Sequence, residues 1–152
     1  MSHHILYFVE TKANEQRRLL CRWVERFYEE KKRVQIMADS TMAAQHLDQL
    51  LWTYSPGSFI PHRIAGPSEG GSTMVEPVVI SIGERVLAGY EALICDGPAS
   101  LDFLLSFSVS VHFIIQDDHD RLLESRLMWK AAREQGIQPN HVPYSPLRDE
   151  SF

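Results

Sequence analysis

The sequence predicts a single α/β domain with a three-layer, Rossmann-like architecture. Short apolar segments typical of buried strands alternate with longer amphipathic segments typical of helices, which favours a mostly parallel or mixed sheet with helices on both faces. The 152 residues, of which 44% are hydrophobic, suffice for one domain with its own core, and no internal repeat is evident. We therefore expect one domain over residues 1–138 and a poorly packed tail with three prolines over residues 139–152.

The first part of the chain contains two strands, each followed by a helix. Residues 4–9 (HILYFV) are short and apolar, as in a buried strand. Residues 15–31 carry apolar side chains on one helical face and mixed charges on the other, which indicates an amphipathic helix. Residues 34–38 are the next predicted strand, and Asp39 or Ser40 can cap the helix that follows.

This second helix runs into the most distinctive motif of the sequence, LDQLLWTYSPGSFIPHRIAG at residues 47–66. A proline and a glycine end the helix, so the apolar pair Phe59 and Ile60 directly after them either folds inward or contacts another molecule. His62 follows Pro61 in the same loop. We expect His62 to fix its neighbours by hydrogen bonding rather than to act as a general base.

The remainder of the chain resumes the alternation after a loop rich in glycine and serine at residues 67–76. Gly70 and Gly71 in this loop are not followed by the lysine of a phosphate-binding loop. We predict strands at 78–82, 92–95 and 109–115 and helices at 99–107 and 121–135.

Composition narrows the possible functions. The net charge of -5 argues against a nonspecific phosphate-binding surface, so we expect any nucleic-acid role to be indirect. No apolar run reaches the roughly 18 residues needed to cross a membrane, and the N-terminus lacks signal-peptide features, which favours a cytoplasmic protein without a membrane partner. Cys21 and Cys95 have no metal-site spacing, and we expect both to be buried as small apolar residues.

Candidate catalytic groups are few. Neither GxGxxG nor GxSxG occurs, so we expect no cofactor. Asp96 and Asp117 follow predicted strands and could together hold magnesium, but we favour turn and helix-capping roles for Asp96, Asp117 and Asp118. A nucleophile and base could also assemble from Cys95 with His112 or His119. No motif supports that pairing, and a non-catalytic function is favoured.

The last predicted helix carries a cationic and aromatic cluster, with Leu123 and Leu127 on the opposite side expected to face the sheet. Its members are Arg126, Trp129, Lys130 and Arg133. In one interpretation Trp129 belongs to the core and the cations form a solvated rim. In the other, the cluster is a receptor in which an apolar ring takes a hydrophobic side chain while cations hold the carboxylates of an acidic motif. The residues alone leave both interpretations open.

The central motif, the glycine-rich loop and the following PVVIS together resemble the chi subunit family of bacterial DNA polymerase III, with the same element order over about residues 5–137. The residues that carry the resemblance are Leu47, Trp52, Ser58, Phe59, Pro61, His62 and Gly66. The resemblance implies a Rossmann-like fold without catalytic activity or cofactor. It also implies an adaptor role, with one surface for the psi subunit of the clamp loader and another for the acidic C-terminal tail of single-stranded-DNA-binding protein.

Site residues follow from this resemblance. The psi contact falls on Phe59, with Ile60, Pro61 and His62 beside it. The tail site falls on Arg126, Trp129 and Lys130, and we add Arg133 to the rim and Ile115 to the floor. Two departures stand out. Trp129 replaces the tyrosine of well-known members and should still accept a phenylalanine side chain. Leu122 replaces a basic residue, which predicts a lower tail affinity.

Two alternatives and one further possibility remain at this point. The chain could be a chi-like adaptor for another partner, such as a repair helicase, or an enzyme that binds a nucleotide or metal through Asp96 and Asp117. The final residues Asp149, Glu150, Ser151 and Phe152 are acidic and aromatic. They could imitate an acidic ligand and dock on a neighbouring molecule.

Overall fold

The computed structural model describes residues 4–54, 57, 59–69 and 74–147, so the segment from Asp149 to Phe152 lies outside it. The strands in this part of the chain are β1 (Ile5–Thr11), β2 (Val34–Ala38), β3 (His62–Ile64), β4 (Val78–Ile82), β5 (Ala92–Cys95), β6 (Val109–Ile115) and β7 (Asn140–Val142). The helices are α1 (Gln16–Glu29), α2 (Thr41–Thr53), α3 (Leu101–Leu104) and α4 (His119–Glu134). None of these helices is long and apolar enough to cross a membrane.

The described strands form one seven-stranded sheet in the order β3-β4-β2-β5-β6-β1-β7, and all of their pairings are parallel. Because side chains alternate between the faces of a strand, β1 places Val9 on one face and Phe8 on the other. Helices α1 and α2 cover the face of Val9, and α3 and α4 cover the face of Phe8. The predicted three-layer α/β fold is therefore confirmed.

The two edge strands were not predicted, because each has only three residues and no detectable periodicity. β7 lies within the tail that we expected from residue 139 to be poorly packed. Instead, Asn140–Val142 pairs with β1, and the backbone amides of Tyr144 and Leu147 donate hydrogen bonds to Glu10 and Glu15, respectively. Pairing with β1 and hydrogen bonds to the carboxylates of Glu10 and Glu15 thus hold the chain against the domain as far as residue 147.

Helix α3 is shorter than the predicted helix over residues 99–107. It begins after Ser100, whose hydroxyl accepts a hydrogen bond from the backbone amide of Phe103, and it ends after Leu104. The caps of the other helices agree better with prediction, since Ser40 caps α2 and Asp118 caps α4 through equivalent hydrogen bonds. The short α3 leaves α4 as the main cover of its face of the sheet.

Candidate functional site

A trough of about 540 Å³ lies between α4 and the edge of the sheet formed by β1 and β7. Its lining combines apolar and charged groups: Phe8, Glu10, Ile114, Leu122, Ser125, Arg126, Trp129 and His141. Strand β1 supplies the floor and α4 supplies one wall. This mixture of an apolar floor and a charged rim can accept a ligand that carries both an apolar and an anionic group.

Trp129 is half-buried and belongs to both the core and the trough. Its ring meets the fully buried Phe8 edge to face at a centroid distance of 5.2 Å, and the ring of His141 lies 6.3 Å away on the trough side. The two interpretations of Trp129 from the sequence therefore each describe one side of the same ring. Packing on Phe8 holds the ring in place, and its other side remains available to a ligand.

The cations of α4 contribute unequally to this trough. Arg126 lines it, whereas Lys130 and Arg133 are exposed on the same helix outside its lining. Arg126 forms no ion pair with any carboxylate in the described part of the chain. Its guanidinium is therefore free to bind an anion, and the helix adds positive charge at the trough's rim.

Two orientation predictions for this region were wrong. Leu123 and Leu127 do not face the sheet, because they are 48% and 62% exposed and Ser125 and Ala132 are the buried residues of α4. Ile115 does not line the trough either. It is 1% exposed in the core under α1 and α2, and the alternation of β6 places Ile114 in the trough instead.

The wall opposite α4 consists of Glu10 and His141, and no sequence pattern pointed to it. Nε2 of His141 donates a hydrogen bond to Oε1 of Glu10 at 3.0 Å, and the amide of Tyr144 donates to Oε2 at 3.0 Å. Burial opposes ionisation of Glu10, but these hydrogen bonds outweigh it and lower the pKa of the carboxyl. The pairing with His141 reduces the repulsion that an acidic ligand would meet from Glu10.

A second exposed aromatic group lies where α2 leads into β3. Phe59 is 70% exposed and Trp52 is 46% exposed, with their ring centroids 5.5 Å apart. The ring of His62 packs against Trp52 at a centroid distance of 4.2 Å. Ile60 is buried. Of the apolar pair singled out in the sequence, Ile60 therefore folds inward and Phe59 faces solvent. Pro61 is half-buried between Ile60 and His62.

His62 holds this loop in place, as expected from the sequence. Its Nδ1 lies 2.8 Å from the carbonyl oxygen of Ile60, and its Nε2 lies 3.0 Å from the carbonyl oxygen of Asp48 in α2. The buried imidazole thereby ties the loop to the helix. Ile60, the neighbour of Phe59, is thus linked to α2 through His62.

The candidate catalytic residues each have a structural partner. Arg17 donates two hydrogen bonds of 3.1 Å to the carboxylate of Asp96, and this interaction raises the pKa of Arg17. Asp117 accepts a hydrogen bond from the amide of Ala13. No group of three or more metal-binding side chains occurs in the described residues. These acids act in ion pairing and loop fixation.

The thiols and His112 are also engaged in the fold. Burial raises the pKa of Cys21 to about 12 and raises that of Cys95 as well, so neither is a ready thiolate nucleophile. Nε2 of His112 lies 2.8 Å from Oγ of Ser125, both side chains being buried between β6 and α4. His119 is exposed at the start of α4.

The family model of the DNA polymerase III chi subunit, HolC, matches residues 1–140. The chain belongs to this family. A chi subunit of Haemophilus influenzae is 28% identical over 118 residues, which cover 78% of this chain and 80% of the relative. A chi subunit of Escherichia coli is 30% identical over 122 residues, covering 80% and 81%. Chi is an accessory rather than a catalytic subunit, so the enzyme hypothesis built on Asp96 and Asp117 is not supported.

The fold of this chi-family chain is also similar to that of a helicase domain. The second domain of the DEAD-box helicase Mss116p, solved with an RNA duplex, superposes with a TM-score of 0.67 at 10% identity. The match covers 98% of this chain and 66% of that chain. At this identity the likeness concerns the arrangement of sheet and helices alone.

Proposed function

We propose that this chi-family chain is a non-catalytic adaptor that acts in the cytoplasm as part of the DNA polymerase III complex. It bridges a psi-like subunit of the clamp loader, bound at Phe59, to the acidic C-terminal tail of single-stranded-DNA-binding protein, bound in the Trp129 trough. The observation that carries this proposal is the position of the two sites. Phe59 lies shortly before β3, one edge of the sheet, and the trough lies at β7, the other edge.

This separation allows both partners to bind at once. Seven parallel strands place the two edges of the sheet roughly 29 Å apart, at about 4.8 Å for each strand interval. A ligand at one edge does not collide with a ligand at the other. Contact with nucleic acid is then indirect, through the bound protein.

The chemistry of the trough supports an acidic, aromatic ligand. Trp129, Ile114 and Leu122 offer an apolar surface, and Arg126 offers two or more N–H donors to carboxylates. Lys130 and Arg133 extend the positive charge along α4. Charge-assisted contacts of this kind weaken with added salt, whereas burial of an aromatic side chain on Trp129 depends on salt much less.

Replacing Arg126 with glutamate should weaken binding of a peptide from the tail of single-stranded-DNA-binding protein by about tenfold or more, because a cation that pairs with carboxylates becomes an anion that repels them. Isothermal titration calorimetry measures this change. Lys31→Glu, just beyond the end of α1, is the matched control, since it makes the same charge reversal on an exposed residue away from the trough. Absence of binding by the wild type would reject the tail site.

Replacing Phe59 with alanine should weaken binding of the psi-like subunit by about tenfold or more, since exposed aromatic residues are typical anchors of interfaces. The free energy of unfolding should change by less than about 0.5 kcal/mol, because the side chain is mostly solvent-exposed. Titration with the purified subunit and urea denaturation measure the two quantities. Met42→Ala, an exposed apolar residue at the start of α2, should leave both unchanged.

A further inference from the structure

We infer that the buried pair His112 and Ser125 positions α4 on the sheet and thereby sets the shape of the trough lined by Arg126 and Trp129. The inference rests on the proposed function only in its choice of ligand. It assigns a role to two buried residues that the proposed adaptor function does not otherwise use. Both act through their neighbours and are positioning residues.

The apolar contacts of α4 are too few to fix its position by themselves. Of its 16 residues only Ser125 and Ala132 are buried. Leu123 and Leu127, which are one helical turn apart, are exposed to solvent. Met128 and Trp129 are half-buried. A helix that lacks a buried leucine stripe can rotate or slide at small cost in apolar area.

Free space on both sides of α4 makes such movement possible. The trough of about 540 Å³ lies on one side, and a second cavity of about 260 Å³ lies on the other. The second cavity is lined by Glu84, Pro98, Ala99, His112, Glu124 and Met128. Close packing therefore does not prevent α4 from shifting across the sheet. A directional contact between α4 and the sheet is needed.

The His112 and Ser125 pair supplies that directional contact. Nε2 and Oγ are 2.8 Å apart, and the two residues are only 4% and 3% exposed, so both polar groups are largely screened from bulk water. A shift of α4 that separated them would leave both groups buried without this hydrogen bond. The hydrogen bond between His112 and Ser125 thus raises the free energy of other positions of α4.

Two routes lead from this pair to the trough. Ser125 directly precedes Arg126 in α4 and itself lines the trough. The ring of His112 packs on Phe8 at 4.8 Å, and Phe8 in turn meets the ring of Trp129 at 5.2 Å. The cation and the aromatic surface therefore both depend on the same buried hydrogen bond.

The test compares Ser125→Ala, which removes the hydroxyl, with Ser125→Thr, which keeps it. We expect Ser125→Ala to weaken binding of the acidic tail peptide by about tenfold, and Ser125→Thr to weaken it much less. Leu20→Ala is the matched control, because it creates a cavity on the other face of the sheet and destabilises the fold without touching α4. It should leave peptide affinity unchanged.

A second readout needs no ligand. In protein labelled with 5-fluorotryptophan, the ¹⁹F resonance of Trp129, assigned with Trp129→Phe, should move in Ser125→Ala and stay in place in Leu20→Ala. His112→Phe is the second variant, since it retains a ring against Phe8 and removes the partner of Ser125. If neither Ser125→Ala nor His112→Phe moves this resonance, the inference is overturned. If the wild type binds no peptide but the resonance moves, the proposed tail site fails and the positioning role stands.

Discussion

The free energy of unfolding should fall by about 2 kcal/mol between pH 7 and pH 5 through His112 alone, and by about 3 kcal/mol at pH 4. Burial disfavours the charged imidazolium, and the nearby Arg121 adds to this effect, so the pKa of His112 is lowered to about 4. In the unfolded chain the pKa is about 6.5. Below that pH the unfolded state binds a proton that the folded state does not, and stability present above pH 6.5 is progressively lost.

Urea denaturation at several pH values between 7 and 5 measures this loss. In His112→Phe the stability at pH 7 is lower, because Ser125 loses its partner, but the decline toward pH 5 should be smaller by about 2 kcal/mol. His119→Gln removes an exposed histidine and should retain the wild-type decline. The lowered pKa values of Glu10, Glu15 and Glu69 affect stability mainly below this range. A parallel decline in wild type and His112→Phe would contradict the assignment.

Replacing Arg17 with methionine should destabilise the protein by about 2 kcal/mol, because the buried side chain of Asp96 would lose its ion-pair partner. Loss of a fully buried pair costs more, but the side chain of Arg17 is 36% exposed and water screens part of the interaction. Urea denaturation at pH 7 gives the difference. Methionine retains the apolar stem of arginine, so packing changes little.

A second substitution separates the ion pair from other effects of Arg17. In Arg17→Met combined with Asp96→Asn no buried carboxylate is left unpaired, and the double variant should recover about 1 kcal/mol relative to the sum of the single changes. Lys12→Met changes another cation at the same end of the sheet and should cost much less. Strict additivity of the two single changes would show that Arg17 and Asp96 do not stabilise one another.

The longer elements could be predicted from the sequence because each contains its own signal. Over its 14 residues, α1 has one apolar face and one polar face. The seven residues of β6 are almost all buried. β3 and β7 differ, since three residues carry no usable pattern and they become strands only by pairing with β4 and β1. Their identity depends on the partner strand and is not encoded locally.

The candidate site was only partly predictable for a similar reason. Phe59 and Trp129 stand out as aromatic residues beside a helix breaker or among cations, and both are accessible. Which of Ile114 and Ile115 faces the trough depends on the register of β6, which a run of apolar residues does not reveal. His141 was missed because it is brought to Glu10 only by the pairing of β7 with β1.

The position of β1 has a consequence for synthesis of the protein. β1 precedes every other described strand, yet both of its neighbours in the sheet, β6 and β7, come last among the described strands. During translation β1 must therefore wait, with its edges unpaired, until β6 and β7 have left the ribosome. The trough is completed last of all, because its far wall is carried by β7. A prematurely terminated product could display Phe59 but not an intact trough, and it would be a candidate for chaperone binding and proteolysis.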